Sequence, residues 1–421
     1  MKKSKIYSLL ACVCLLMQSC LFSEEDVFDQ SSAQRAMESV EECNNLLQSS
    51  SNGWLMEYYP GYSLEDFGGF NLLAKFDGGN VVLASEIATA NYAVGETCTS
   101  LYKVSSFQGT QLSFDGYNEL IHSFCEPEGY NAPGFAGDYE FIFRTISEDK
   151  LVLTGKKNGN MLVMTRLPED ADWSVMLSNI NDIQTNAPYA TYTLKIDGTE
   201  VTKFIRSNHT LTVTTRDEQG QPHTVSYPYI YTSEGIRMAE PMEFNNVSMT
   251  EFSWDNEKRS FICTDEGVNA EVEFYCPENY PKYLGRYRIK YGSTQRTVTL
   301  SQKIEGLTYT LSGMPNYNWE VQYNLNTECL EIQYQYLGTY GPYKVYLCPW
   351  DSQAGYLTWA EGTGLSGIIT SESPMRIAFK DNGVYETADS FLYYAFNGSP
   401  SGTTTAGSVH QIPTPTLEKI D

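Results

Sequence analysis

The first regular pattern along the chain has a helical period. Between Ser31 and Gln48 the apolar residues Ala33, Ala36, Met37, Val40 and Leu47 recur on one face, with charge opposite. Ser31 and Gln34 stand at capping-box spacing and Asn52-Gly53 supplies a stop, so the spacing predicts a helix that covers a sheet. From Trp54 the period shortens to two. Asn71 to Ile87 reads as a hairpin around Asp77-Gly78-Gly79-Asn80, where positive φ angles call for Gly or Asn. Further hairpins turn at Gln108-Gly109, at Ser147-Glu148-Asp149 and at Asn158-Gly159-Asn160, and consecutive hairpins make an antiparallel meander. Pro168 then opens a second helix, with Trp173, Met176, Leu177, Ile180 and Ile183 as its apolar stripe.

Strands resume after this helix, and a faint echo appears. Lys75-Phe76-Asp77-Gly78 and Lys195-Ile196-Asp197-Gly198 each sit inside a hairpin that follows a helix. Helix plus meander occurring twice is one reading; the other is that antiparallel hairpins resemble one another. Pro277 to Pro281 interrupts the strand pattern and marks a boundary. Beyond it, short strands at regular spacing predict a closed barrel or a sandwich. The expected class is therefore mainly β (α+β): antiparallel β meanders with two covering helices, duplicated in one of the two readings, and a C-terminal β-barrel or β-sandwich module. The layout is a processing segment (1–19), an acidic tether (20–28), a helix-plus-meander domain with the second helix (29–185), a second meander unit (186–278), the C-terminal barrel or sandwich (280–398) and a flexible tail (399–421) rich in Ser, Thr, Gly and Pro.

The N-terminus changes the picture from fold to address. Lys2, Lys3 and Lys5 precede an apolar run from Tyr7 to Met17, which is too short to span a bilayer. It ends in Leu16-Met17-Gln18-Ser19-Cys20, similar to a bacterial lipobox, which makes Cys20 the expected lipid attachment site; an ordinary secretory signal is the alternative. Acyl chains on Cys20 would anchor the protein to a membrane without a transmembrane helix. The acidic run Ser23-Glu24-Glu25-Asp26 follows at once. With 28 basic and 52 acidic residues the formal charge is −24, and no basic stripe is visible, so nucleic acid is excluded as a partner. Cys43, Cys98, Cys125, Cys263, Cys276, Cys329 and Cys348 lie beyond Cys20 at wide, irregular spacings with no CxxC, which indicates neither a disulfide scaffold nor a zinc ribbon.

The stretches Ser51-Asn52-Gly53-Trp54-Leu55-Met56-Glu57-Tyr58-Tyr59-Pro60, Lys75-Phe76-Asp77-Gly78-Gly79-Asn80, Leu112 to His122, Gly137 to Phe141 and Gly155 to Asn160 together resemble the DUF4302 family of Bacteroidetes lipoproteins, over residues of about 20 to 270. The acidic run likewise resembles the export signal that sends such lipoproteins to the outer face of the outer membrane. The C-terminal module is loosely similar to β-modules that end many of these chains. The resemblance implies an outer-membrane lipoprotein facing the extracellular side, associated with uptake systems of the SusC/SusD type. It carries over no catalytic residue.

Catalytic patterns are sparse. His122, His209, His223 and His410 form no HExxH or HxH arrangement; His209 and His223 could face each other across a hairpin, although surface polar positions are the plainer reading. Gly364-Leu365-Ser366-Gly367-Ile368 lacks the last glycine of a nucleophile elbow. No catalytic residue, metal site or cofactor is expected. Aromatic residues are the better signal: residues 280–356 hold 13 of the 31 tyrosines. Trp319, Trp350, Trp359, Tyr317 and Tyr340 sit beside Gly, Pro, Asn or Asp or in polar stretches, and rings on loops flanked by polar groups suit sugars or flat apolar ligands. These five are the candidate ligand-binding residues, against the alternative that alternating Tyr fills strands. The expected function is a non-catalytic accessory that captures a glycan or peptide. A surface hydrolase with an unrecognised carboxylate pair is the first alternative, and a structural or adhesive lipoprotein the second.

Overall fold

The structure, a computed structural model, describes residues 31–127, 134–216 and 222–420. The processing segment, Cys20 and the acidic tether lie outside the described residues. Helix α1 (Ser32–Gln48) begins as its cap predicts, with Ser31 Oγ accepting from the Gln34 N–H at 3.2 Å. Behind it nine antiparallel strands form one sheet, in which Trp54–Tyr59 pairs with both Phe70–Asp77 and Met161–Arg166. The two edges of that sheet, Cys98–Leu101 and Lys103–Ser106, are separated in sequence only by Tyr102. One strand bent at Tyr102 therefore serves both edges, and the sheet curls back on itself.

Its concave side holds Trp54, Met56, Tyr58, Phe141, Leu151 and Met164, and α1 closes it: the Trp54 indole donates to the Leu47 carbonyl at 2.9 Å, and the Tyr102 hydroxyl donates to Asn44 Oδ1 at 2.9 Å. The apolar stripe of α1 is fully buried only at Cys43 and Leu47, while Met37 stays 73% exposed beside a groove of about 950 Å³. The helix packs along strands Lys103–Ser106, Phe70–Asp77 and Thr110–Ser113, and both of its buried residues lie in its C-terminal half. A one-turn helix α2 (Glu119–His122), not foreseen from the pattern, presses Leu120 and Ile121 into the same core.

The second helix starts later than Pro168 suggests. Helix α3 (Trp173–Asn186) is capped by Asp172, whose carboxylate accepts from the Ser174 and Val175 N–H groups at 2.9 and 3.2 Å. Leu177, Ile180 and Ile183 lie between Leu73 and Ala84 of the first sheet and the interior of an eight-stranded closed barrel, which runs from Thr191–Ile196 to Ala270–Phe274. As in the first unit, a helix precedes a meander whose first strand pairs with its last. The sequence echo falls on like turns, with φ of +55° and +86° at Gly78 and Gly79 and +50° and +74° at Asp197 and Gly198. His209 and His223 do not face each other: His223 pairs with Thr215, whereas His209 is buried where the barrel meets the first sheet.

The C-terminal module is a second closed barrel of eight strands with a four-stranded sheet packed against it. The sheet turns Val345, Leu347, Phe391, Tyr393 and Ile412 into the barrel core. The residues expected to form a flexible tail are strands instead. Thr405–Ile412 is the edge of the four-stranded sheet, and Thr416–Lys419 pairs with Gly285–Tyr291 and Met375–Asp381 to close the barrel. Ile412 and Leu417 anchor these strands in the core, and Glu418 pairs with both Arg288 and Arg376 at 2.9 Å. Many of the tyrosines fill cores. Tyr280 stacks on Tyr309 at 4.3 Å, and the hydroxyls of Tyr280, Tyr283, Tyr287 and Tyr309 all donate to backbone carbonyls. The seven cysteines beyond Cys20 are unbridged.

Candidate functional site

Strand Cys329–Gln333 belongs to the second barrel and strand Gln335–Tyr340 to the four-stranded sheet, with only Tyr334 between them. The chain thus changes sheet at one residue, and the diverging sheets open a cleft of about 420 Å³, within the usual range of small-ligand sites. Tyr334 and Tyr336 form one wall. Tyr336 is 51% exposed, and both rings lean on Tyr346, at 5.5 Å and nearly parallel for Tyr334 and at 5.1 Å for Tyr336. Burial pushes the Tyr334 hydroxyl well above its ordinary pKa, which keeps it a neutral donor.

Amides line the base. Gln322 Nε2 donates to Gln333 Oε1 at 3.2 Å, and Gln333 Nε2 donates to Glu331 at 2.8 Å. The Glu331 carboxylate is buried, and Asn324 and Asn382 also donate to it, at 2.8 and 2.9 Å. Gln335 acts as a false strand partner: its side-chain carbonyl accepts from the Glu320 N–H at 2.7 Å and its amide donates to the Glu320 carbonyl at 2.9 Å. That pins the opposite rim, where Lys303 pairs with Glu320, and Glu361 completes the lining. The chain of amides is fixed by mutual hydrogen bonds, so the polar atoms that remain free are held in place before a ligand arrives. The carboxyl group that burial pushes up to about 8, Glu86, lies elsewhere, between the first sheet and the first barrel. Among the described residues no cluster of three or more His, Cys, Asp or Glu could hold a metal ion.

The five residues singled out from the sequence fall unevenly around this cleft. Trp319 lines it but is only 1% exposed, and its indole N–H donates to the Tyr393 hydroxyl at 2.9 Å; it is the supporting wall rather than a loop platform. Trp359 packs edge-on against Phe396 at 5.5 Å. Trp350 ends a strand opposite Ser390 and bridges to Leu357. Tyr317 is half-buried against Tyr393 and donates its hydroxyl to the Thr339 carbonyl at 3.1 Å. Tyr340 is 58% exposed at a hairpin end, outside the cleft lining. The residues missed are Tyr334, Tyr336, Gln322, Gln333 and Gln335. Their signal is the run Gln333-Tyr334-Gln335-Tyr336, in which amide and ring alternate where one strand leaves its sheet.

A family model described as a domain of unknown function, DUF4302, matches residues 24–256, more than half of the 421. The chain belongs to the DUF4302 family. The DUF4302 match takes in α1, the curled sheet, α3 and most of the first barrel. A second model, DUF4987, also described as a domain of unknown function, matches residues 265–393 and contains the whole cleft lining. No curated protein matches the chain.

Proposed function

We propose that this chain is a lipid-anchored protein of the outer cell surface that captures a glycan or peptide in the Tyr334–Tyr336 cleft without transforming it, beside an outer-membrane transporter of the SusC/SusD type. The observation that carries the reading is the cleft itself, about 420 Å³, with a half-exposed ring over a pre-ordered set of amides. A ring supplies contact area at little entropic cost, and fixed amides supply orientation. The anchor on Cys20 is supported by the lipobox-like Leu16 to Cys20, and the surface address by the acidic run that follows. A tethered site raises the ligand's local concentration beside a porter, toward the mM range for a short flexible link, so modest affinity suffices. The charge of −24 keeps the folded body off anionic surfaces.

The test is a paired glycan and peptide array probed with the full-length protein in detergent, together with Tyr336→Ala. One ligand class should bind, and the variant should bind roughly tenfold more weakly, equivalent to about 1.4 kcal/mol. Silence on both arrays, or turnover of the bound ligand, overturns the reading.

A further inference from the structure

The register of the four-stranded sheet places three tyrosines directly opposite one another on adjacent strands: Tyr336 faces Tyr346, and Tyr346 faces Tyr394. Opposed residues of an antiparallel ladder project to the same side, so the three side chains form a row across the strands, roughly 10 Å from first to last at the usual strand spacing. One end of the row, Tyr336, is the wall of the cleft. The row is braced by Phe396, which is fully buried beside it, 5.7 Å from Tyr346 and 5.3 Å from Tyr394, with Trp359 closing against the same ring. Cleft and row are thus continuous, one end lined by amides and the other by rings.

We propose, building on the capture reading, that cleft and row form a single site for a linear, uncharged oligosaccharide lying across the strands. A sugar ring presents an apolar C–H face and a polar rim, which matches rings that carry hydroxyls and adjoin oriented amides. A peptide adding as a strand would run along the outer edge of strand Gln335–Tyr340, parallel to the strands, whereas the row of rings runs across them. A flat apolar molecule would occupy one ring and gain nothing from the rest of the row. Charge removes the polyanionic sugars: the cleft holds Lys303, already paired with Glu320, and Glu361, so acids outnumber bases by one within a chain of −24.

Calorimetric titration of the full-length protein in detergent separates these ligands, using gluco-, xylo- and manno-oligosaccharides from mono- to hexasaccharide, oligogalacturonates, and short peptides. At least one neutral series should tighten by roughly tenfold or more, about 1.4 kcal/mol, between di- and tetrasaccharide and then level off. Tyr394→Ala should abolish that gain with length and leave disaccharide binding within about twofold, while Tyr336→Ala should weaken every length. Tyr394→Phe, which keeps the ring, should retain the gain, so a fold defect in the alanine variant is recognised. Binding of peptides or oligogalacturonates in place of neutral sugars overturns this inference and leaves capture standing. So does neutral-sugar binding with no dependence on length. No binding by any probe removes both.

Discussion

Replacing Glu86 by Gln should make the protein less sensitive to rising pH. Glu86 follows strand Asn80–Ser85, and its side chain is completely buried where the first sheet meets the first barrel. One carboxyl oxygen accepts from Asn71 Nδ2 at 2.7 Å, and the same amide donates to the Tyr231 carbonyl across the junction at 2.9 Å. The other oxygen has no hydrogen-bond partner and lies 3.8 Å from Nδ1 of His209, which is itself 2.6 Å from the Gly69 carbonyl oxygen. Desolvation pushes the Glu86 pKa from 4.5 up to about 8 and holds His209 down from 6.5 to about 4. The raised carboxyl contributes stability that is fully present below pH 4.5 and is lost as pH rises through 8, a total of roughly 4–5 kcal/mol. The depressed imidazole works in the opposite sense: its contribution is present above pH 6.5 and lost as pH falls through 4.

The two slopes oppose each other between pH 4.5 and 6.5. The informative window is therefore pH 6.5 to 8, where Glu86 alone of this pair titrates and wild type should lose roughly 2 kcal/mol. The Glu86→Gln side chain keeps the oxygen that Asn71 needs and cannot ionise. Urea unfolding at fixed ionic strength across that window should show the wild-type midpoint falling and the Glu86→Gln midpoint staying level. Infrared difference spectra at pH 7 should show a protonated carboxyl band that the variant lacks. Parallel midpoints together with no such band would refute the argument.

Other outcomes follow from the sequence and from the fold. Cys20→Ala should abolish incorporation of labelled palmitate and move the protein from the membrane to the soluble fraction; label retained by the variant contradicts lipidation at that sulfur. Trp319→Ala should destabilise by about 3–5 kcal/mol in urea, because it removes a buried indole bonded to Tyr393, whereas a loop residue that only touched ligand would cost under about 0.5 kcal/mol. Leu417→Asp puts a charge into the strand that closes the second barrel and should make the C-terminal module cleavable by dilute protease; resistance equal to wild type would mean that the strand is dispensable.

Local chemistry was legible in the sequence and long-range closure was not. Asp77-Gly78-Gly79-Asn80 declares a hairpin because few other residues accept its φ angles, and Ser31 declares a helix start because its hydroxyl satisfies a free N–H. Residues 399–415 declare nothing so local. Their Ser, Thr and Gly serve a sheet edge whose outer side meets water, and one buried residue, Ile412, holds the strand. Leu417 does the same for the last strand, helped by Glu418, which is shared between Arg288 and Arg376. The pairing of the last strand with Gly285–Tyr291 joins residues more than a hundred positions apart, and no window of local pattern contains it; Thr405–Ile412, by contrast, turns back on the strand just before it, Ser390–Phe396.

The site was obscured for a related reason. Tyr and Trp have one large apolar body and one polar tip, so ring count alone cannot separate a core from a platform. What separates them here is where the tip goes. Tyr280, Tyr283, Tyr287 and Tyr309 each spend the hydroxyl on a backbone carbonyl inside the barrel, and Trp319 spends its N–H on Tyr393. Asn316 and Asn318 ahead of Trp319 suggested a loop, yet its strand runs Trp319–Asn324 and directs alternate residues inward. Tyr336 sits just past the point where a strand leaves a closed barrel for a separate sheet, and its ring is turned to water while its neighbours Gln333 and Gln335 are tied into fixed geometry. A ring left half in water beside amides that are already held is the arrangement on which the proposed binding site rests, and topology rather than composition created it.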